Sequence, residues 1–566
     1  MNDIILEPAR AYKEVYSKTF PEKANKLFDE LVEKSKVKVD ENREAAKAYR
    51  KKENEVATAT KKLNGKKAIR VLLILAIIAL MIIGIVYAPT IWVLLVNAAL
   101  SIGIILYIVK KLTPIIQTLR DHKEDLEEQA KELYKKAEKL LKPLLDLFDS
   151  KMTTQLIEQT VPLLQIDKNY DMRRFDYLNG KYGLSEDWGS DVSTLKVMSG
   201  EIIGNPFIIE KILTHTMGLD TYTGSITITW TEYDYVDGKR VARHCSQVLT
   251  ASVTKPKPFF TEGTRLIYGN EAAPDLNFSR MPSHAERMDE DDIERHVRRG
   301  SRKIRRKAKR EMASGFTEMG NEEFDVLFGA LDRDNEVEFR LLFTPLAQKN
   351  LLTLMKGGSP FGDDFAFTKD NCINIIESEH SQNWNFDSPS ERYFTYDIDI
   401  CRQLFVDLNS DDFRHIFFDL APLLSIPLYQ HHKPKEYIYK EKYERNYTVK
   451  EAEVLANAFD VSVFRDPFAD TPQLLKTRLV STVDGEDTVE VRSLSYNGIP
   501  RVDYIPMWGR DGNLHNVPVH WVEYIRAVNT GYMSIAESDI SDREHRKLSK
   551  QSKHDIYLHN LRAKIV

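Results

Sequence analysis

The sequence predicts an α+β cytoplasmic body on a transmembrane α-helical hairpin with flanking coiled-coil-like helices. Three observations predict it: an uncharged apolar run from Val71 to Val109, leucines at heptad spacing directly after it, and a change to two-residue alternation from about residue 165. Bulk composition adds little. The 566 residues suffice for about two to four domains. They are 42% hydrophobic and 29% charged, with 80 Lys+Arg against 85 Asp+Glu for a net charge of −5. These values exclude collagen-like, disulfide-scaffold and wholly disordered chains. Cys245, Cys372 and Cys401 are widely separated and form no CxxC pair, as expected of free thiols in a reducing compartment.

Residues 1–67 read as an N-terminal cytoplasmic helical region. Its first 30 residues hold no apolar run, so no cleavable signal peptide is expected. Ala45, Tyr49, Lys52, Val56, Ala59 and Leu63 recur at alternating four- and three-residue steps.

Residues 68–110 read as the hairpin, with spans 69–87 and 91–109. Ala88-Pro89-Thr90 divides them, because proline cannot continue the helical hydrogen-bond ladder. Val71–Tyr87 and Ile91–Val109 hold 17 and 19 residues. At the helical rise they reach about 26 and 28 Å, close to the hydrocarbon thickness of a bilayer. Twelve Leu, Ile or Val residues favour insertion of the first span by roughly 4–7 kcal/mol. Tyr87, Trp92 and Tyr107 fall at interfacial depth. Asn97, Ser101 and Gly103 suit the face that packs on the first span near Gly84. Lys61, Lys62, Lys66, Lys67 and Arg70 precede the first span, and Lys110 and Lys111 follow the second, while the turn is uncharged. The positive-inside rule then predicts a multi-pass protein of the plasma membrane with both termini cytoplasmic.

Residues 111–164 read as a stalk helix. Leu112, Leu119, Leu126, Leu133, Leu140 and Leu147 recur every seven residues, with Ile116, Lys123, Ala130, Ala137 and Leu144 between them. Emerging side by side from an antiparallel hairpin, this helix and the one before the first span are expected to pair; pairing between subunits is the alternative. Ile115–Lys142 would form a rod of about 42 Å that Pro143 ends or kinks.

Residues 165–434 read as the α+β domain. Tyr222–Tyr233 alternates with β-branched and aromatic residues; Asp237-Gly238 is a primed-turn dipeptide; Arg240–Val253 follows as the partner strand. Asn205–Ile209, Thr264–Tyr268, Glu336–Phe343, Cys372–Glu377 and Tyr393–Ile400 are expected as further strands, with helices at Leu346–Lys356 and Phe413–Leu424. Strand pairs joined by turns predict α+β rather than a doubly wound sheet.

The block Phe324–Met355, FDVLFGALDRDNEVEFRLLFTPLAQKNLLTLM, resembles the signature of an uncharacterised bacterial family of two-span membrane proteins, a domain of unknown function. The resemblance implies a strand with an acidic residue running into a Leu-Leu-x-Thr-Pro turn and a leucine-rich helix, below a membrane hairpin and helical stalk. It implies architecture and no activity.

Residues 435–566 extend past that pattern as a hairpin-rich module with a basic tail. Thr448-Val-Lys-Glu451 is a capping box opening a helix through Phe459. Asp484-Gly485, Asn497-Gly498 and Asp511-Gly512 are turn dipeptides. The polar, basic segment Ser541–Val566 is expected to be partly disordered.

One charge run stands out. Glu286, Asp289, Glu290, Asp291, Asp292 and Glu294 precede ten Lys/Arg between Arg295 and Arg310. Acids first and bases last suit the dipole of one solvated helix. Arg298, Arg299, Arg302, Arg305, Arg306 and Lys309 share a broad face that suits an anionic partner: an acidic protein or lipid headgroup ahead of nucleic acid, because no aromatic residues interleave for base stacking. Catalytic spacing is sparse. There is no GxxxxGK[ST], GxGxxG, HExxH or GxSxG. Gly357–Gly362 reads as a loop and Ser193-Thr-Leu-Lys196 as a chance SxxK. Asp363/Asp364, Asp397/Asp399 and Asp411/Asp412 are carboxylate pairs that suit turns and caps better than a metal; Asp397 and Asp399 would share a strand face. His431-His432 has no third ligand. No cofactor is implied. The expectation is a membrane-anchored scaffold or partner-binding platform in contact with the lipid bilayer and a protein partner, with self-association open. The alternatives are a membrane-tethered carboxylate- or metal-dependent enzyme and a nucleic-acid tether through the basic helix 295–310.

Overall fold

The computed structural model describes residues 5–86, 91–149, 151–184, 191–236, 239–310, 315–386, 389–431, 433, 447–538, 540, 544, 548, 554–558 and 560–566. The chain divides into two compact units. One is Pro21–Asp149 with Pro389–Asn409; the other is Met1–Phe20, Ser150–Ser388 and Ser410–Val566.

Long helices make the first unit. α1 (Pro8–Ala11) and a π-helical turn belong to the other unit and lead into α2 (Ser17–Ser35), which enters this one at Pro21; α3 (Val39–Val86) then runs for 48 residues, its polar half passing into its apolar half without interruption. Next come α4 (Ile91–Tyr107), a π-helical turn at Ile108–Leu112 and α5 (Thr113–Leu145). α3 and α5 pack antiparallel. Asn42 donates to the Ala137 carbonyl at 2.9 Å, the Tyr49 and Tyr134 rings lie 5.5 Å apart, and Leu63 packs on Leu112 and Ile116. Positions of the four-three repeat are among those covered: Ala45, Ala59 and Leu63 on α3, Leu112 at the end of the π-helical turn, and Ile116, Leu126, Ala130 and Ala137 on α5 are buried. Lys123 interrupts the seam and reaches Glu127 at 2.7 Å. Pro143 sits in the last turn of α5, which ends two residues later. Asn42 is fully buried and fully used: it also donates to the Tyr396 carbonyl and accepts from the Ile398 N–H.

The apolar parts of α3 and α4 lie side by side, with Leu73 facing Val96, Leu100, Gly103 and Ile104 across a shallow groove. Among the described side chains most of the other apolar ones are exposed; Leu72 is 65% and Val109 61% exposed. One helix, continuous from Leu95 to Leu145, is long and apolar enough to cross a membrane among the described residues. Ala88-Pro89-Thr90, with Tyr87, lies outside the described residues.

The second unit mixes helix and sheet. β1 (Leu164–Ile166), β2 (Val192–Ile202), β3 (Asn205–Val236), β4 (Lys239–Gly269), β5 (Asn277–Arg280), β6 (Phe365–Asp370) and β7 (Ile373–Ser378) form a seven-stranded sheet, ordered β1-β2-β3-β4-β7-β6-β5. β8 (Leu474–Val483), β9 (Glu486–Trp508), β10 (Leu514–Glu537), β11 (Asp555–Leu558) and β12 (Leu561–Ile565) form a five-stranded sheet, ordered β11-β12-β10-β9-β8. Every pairing is antiparallel, so the body is α+β. The strands expected at Asn205–Ile209 and Tyr222–Tyr233 merge into β3, and those at Arg240–Val253 and Thr264–Tyr268 into β4. The pair keeps register from Phe207↔Tyr268 to Val236↔Lys239, a ribbon about 100 Å long. Asp237-Gly238 lies outside the described residues, between that last pair.

The ribbon and the β9–β10 hairpin share a core of Ile228, Leu249, Ala251, Val517 and Val519. Gly224 makes the contact close, since a Cβ there would stand 2.0 Å from the Pro518 carbonyl oxygen. α6 (Met152–Thr160) precedes β1; α7 (Met172–Tyr182) and α13 (Val449–Ala458) cover the ribbon's base around Phe175, Leu178, Ile208, Ile267 and Val454. α8 (Glu290–Arg310), α9 (Glu322–Phe328), α10 (Glu336–Leu342) and α11 (Pro345–Met355) precede β6, and α12 (Ile398–Leu424) follows β7. Phe278 sits among Phe328, Phe339, Phe343 and Phe367, tying β5 and β6 to α9 and α10.

Several expectations are corrected. Glu336–Phe343 is helical: Asn335 accepts from the Glu338 N–H at 3.1 Å, and acids fill the first turn, so a capped helix outcompetes the alternation. The block that resembles the bacterial signature is therefore three consecutive helices. Tyr393–Ile400 is a 3₁₀ turn followed by the start of α12; Asp397 accepts from the Asp399 and Ile400 N–H groups as its cap, so Asp397 and Asp399 share no strand face. Asn497-Gly498 runs straight through β9, paired with Ile525 and Tyr524. The tail is partly structured, because β11 and β12 join the second sheet; most of 541–553 lies outside the described residues. The Thr448 cap and the turns at Asp484-Gly485 and Asp511-Gly512 are where the sequence places them.

Candidate functional site

The charge run folds as one helix, α8. Asp289 caps it, accepting from the Asp292 N–H at 2.7 Å; Glu290, Asp291 and Asp292 occupy the first turn, and Lys307, Lys309 and Arg310 the last. That polarity follows the helix dipole. Ile304 and Ser301 are buried, and Val297 and Ala308 pack beside them against Phe316, Val326 and Leu331. Gly300 sets the closeness: a Cβ would fall 2.3 Å from Val326 Cγ1.

The opposite face is cationic. Taking the helical turn per residue, Arg299, Arg302, Lys303, Arg306, Lys309 and Arg310 fall within an arc of about 120°. All six are exposed, and none has an ion pair among the described residues. Lys303, Arg306, Lys309 and Arg310 line a shallow open depression of about 570 Å³. Two residues of the expected set are engaged locally: Arg298 pairs with Glu294 at 2.6 Å, and Arg305 with Glu318 and Glu322. Arg299, Arg302, Arg306 and Lys309 remain from that set, and Lys303 and Arg310 join them.

Under this helix Arg333 fixes the supporting loop. Its buried guanidinium binds Asp325 at 2.8 Å, Glu336 at 2.7 Å and two backbone carbonyls, between the rings of Phe316 and Phe339. Each guanidinium nitrogen has an acceptor, so the charge is tolerated in the interior.

The carboxylate pairs are already engaged. Asp363, fully buried, holds the Arg280 guanidinium and accepts from the Ser283 and Ala285 N–H groups. Burial presses the Arg280 pKa down against the pull of Asp363. Asp364 accepts from the His380 N–H at 2.9 Å and from its Nδ1 at 2.6 Å, while His380 Nε2 lies 3.3 Å from Asp419. Burial opposes the imidazolium, but the two carboxylates outweigh it and raise the His380 pKa to about 9. His415 stacks on Trp384 at 5.2 Å; burial first, then the His380 charge, lowers its pKa. Asp412 accepts from Trp384 Nε1 at 3.1 Å, and Asp411 stays exposed on α12. In the helical unit Asp397 pairs with Arg50, and Asp399 with Arg43 at 2.9 Å. No group of three or more His, Cys, Asp or Glu among the described residues is arranged to hold a metal ion.

The remaining motifs are structural. Ser193 Oγ donates to the Leu475 carbonyl. His431 lends its carbonyl to Asn205, and His432 lies outside the described residues. Gly357–Gly362 is a loop. Burial pushes the Cys401 thiol up to about 12 and raises that of Cys372, so neither is poised as a thiolate. Of the basic residues that flank the apolar run, Lys61, Lys62, Lys66, Lys67 and Arg70 are exposed on α3, and Lys110 and Lys111 are exposed on the turn before α5. Sequence reasoning missed the Asp364–His380–Asp419 triad, whose members are far apart in the chain, and Arg333, whose only local sign is an arginine among acids. Comparison of the chain with protein-family models, curated proteins and solved structures finds no match.

Proposed function

We propose that the chain is an integral protein of the plasma membrane. In this reading α3 and α4 cross the bilayer as a two-span hairpin, α3 and α5 pair as a coiled-coil stalk, and the α+β body stays cytoplasmic as a scaffold that docks an acidic protein on the cationic face of α8. The observation that carries the anchor is the exposure of apolar side chains on α3 at 71–82 and on the helix at 95–109, within a run from Val71 to Val109 that holds no charge. In water such a surface is costly; against lipid tails it is at home. The cationic flanks Lys61, Lys62, Lys66, Lys67, Arg70, Lys110 and Lys111 support cytoplasmic ends. The six cations of α8 that have no ion pair among the described residues support the docking role, because a surface that only needed solubility would gain from intrahelical partners of the kind Arg298 has.

Protease applied to inverted membrane vesicles should digest the body, whereas intact cells should protect it; the reverse pattern overturns the anchor. Poly-glutamate should bind the full chain in detergent, weaken steeply with salt, and be lost in an Arg302→Glu/Arg306→Glu variant that keeps its melting temperature. Binding of RNA with no binding of poly-glutamate would replace the acidic protein by a nucleic acid.

A further inference from the structure

The long ribbon leaves a strand edge open. β2 covers the outer edge of β3 only from Asn205 to Thr214, and from His215 onward β4 is the one strand paired with β3 among the described residues. β7 covers the outer edge of β4 only from Arg265 to Gly269. Folded proteins blunt such edges with lysine and proline, since unpaired N–H and C=O groups invite another strand. β4 carries that protection in Lys255-Pro256-Lys257-Pro258. β3 does not: Thr221–Thr231, TYTGSITITWT, has no charge and no proline.

The unprotected stretch is also a near-palindrome. About a two-fold through Ile226, Thr221 stands opposite Thr231, Thr223 opposite Thr229, and Ser225 opposite Thr227. On the other face Tyr222 meets Trp230, Gly224 meets Ile228, and Ile226 meets itself. Cross-strand Thr–Thr and aromatic pairs are among the favourable ones. The odd-numbered hydroxyl residues are all exposed, while the even-numbered side chains turn toward the β9–β10 hairpin. The strand is thus held extended, by the contact at Gly224 among others, before any partner arrives. Asp220 and Glu232, like charges that would face each other at either end, close the run; Asp220 already has its counter-ion in Lys257 at 2.7 Å. An isologous contact requires one surface to complement itself, and an antiparallel strand pair does so only when its sequence reads alike in both directions.

We propose that a second copy of this chain adds its β3 to this edge, antiparallel and centred on Ile226, to give a symmetric dimer with a continuous four-stranded ribbon. The other face of the same ribbon stays open, so the dimer presents a single sheet rich in threonine and serine hydroxyls, with Val248 and His244 of β4 among them.

The test uses the full chain in detergent, with mass read by sedimentation equilibrium. The expected mass is that of a dimer; Ser225→Lys/Thr227→Lys reduces it to a monomer, and Thr250→Lys, on the same exposed face but on β4, leaves it dimeric. Residues directly opposite across such a pair lie about 5 Å apart, within disulfide reach. Ser225→Cys/Thr227→Cys, in a background with Cys245→Ala, should therefore oxidise to a covalent dimer, which neither single cysteine variant forms to a comparable extent. A monomeric wild type, a dimer that survives the paired lysines, an open series of polymers, or a double-cysteine yield no higher than the singles would each overturn the proposal.

Discussion

His380 ties pH to stability through a single side chain. Its ordinary pKa is 6.5, and its carboxylate partners raise it to about 9 in the folded protein. A raised pKa stabilises the fold fully below 6.5, and that stabilisation is lost as pH climbs through 9. The difference corresponds to about 3 kcal/mol. Thermal unfolding should show the melting temperature falling across that window. His380→Gln should melt lower throughout, with a flatter profile there, because Asp364 and Asp419 are left buried without a cation; a wild type equally stable from pH 6.5 to 9 contradicts this. Residues of this kind were the least legible in the sequence. Asp364, His380 and Asp419 become neighbours only when the loop after β7 meets α12, and no spacing along the chain encodes that meeting. Caps were readable where the acceptor sits three residues before its N–H, as at Thr448, and the cap role suits Asp397 as well, although the strand expected around it is absent.

Among elements, α8 rests on a glycine. Gly300→Ala gains helix propensity of about 1 kcal/mol but drives a methyl group into Val326, a stiff branched side chain on α9, at a cost of about 1–3 kcal/mol. The expected net effect is a loss of about 1 kcal/mol in denaturant unfolding. In a Val326→Ala background the same substitution should become stabilising; equal effects in both backgrounds would show that the helices do not meet there. The repeat that leads through α5 was legible in part: Leu112, Ile116, Leu126 and Ala130 are buried, while Leu119, Leu133, Leu140 and Leu147 of the same heptad are only half-buried. Strand length was not. Asn205–Ile209 and Tyr222–Tyr233 read as separate strands, yet pairing with β4 carries β3 through the residues between them, since strand formation answers to its neighbour more than to its own residues. α10 failed for the complementary reason: Val337, Phe339 and Leu341 alternate, but Val337 and Leu341 are exposed on a capped helix.

At the scale of the molecule, distant parts of the chain close on one another inside the α+β unit. Ile5 donates to Gln430 Oε1 and accepts from its Nε2, both at 2.9 Å, and Tyr12 and Phe20 stack on Phe413, Phe417 and Phe418. Gln430→Ala strands the backbone groups of Ile5 in the interior and should lower stability by about 1–3 kcal/mol, with Gln430→Glu intermediate because it keeps the acceptor. If hydrogen exchange at Ile5 is unchanged in the alanine variant, the tie is not what holds that segment. The fold class was legible because turn dipeptides and alternation separate α+β from a doubly wound sheet. The joining of residues 5–20 to residues 410–430 was not, because a contact across four hundred residues leaves no periodic trace. One consequence lies in α3. Its helix carries no proline from Val39 to Val86 and passes from salt-bridged surface to bare hydrocarbon with no joint between. The helical ladder is unbroken across that boundary, with Gly65 its most pliable point, so a tilt imposed on the apolar end is passed along the helix toward the tyrosines and arginines at the other.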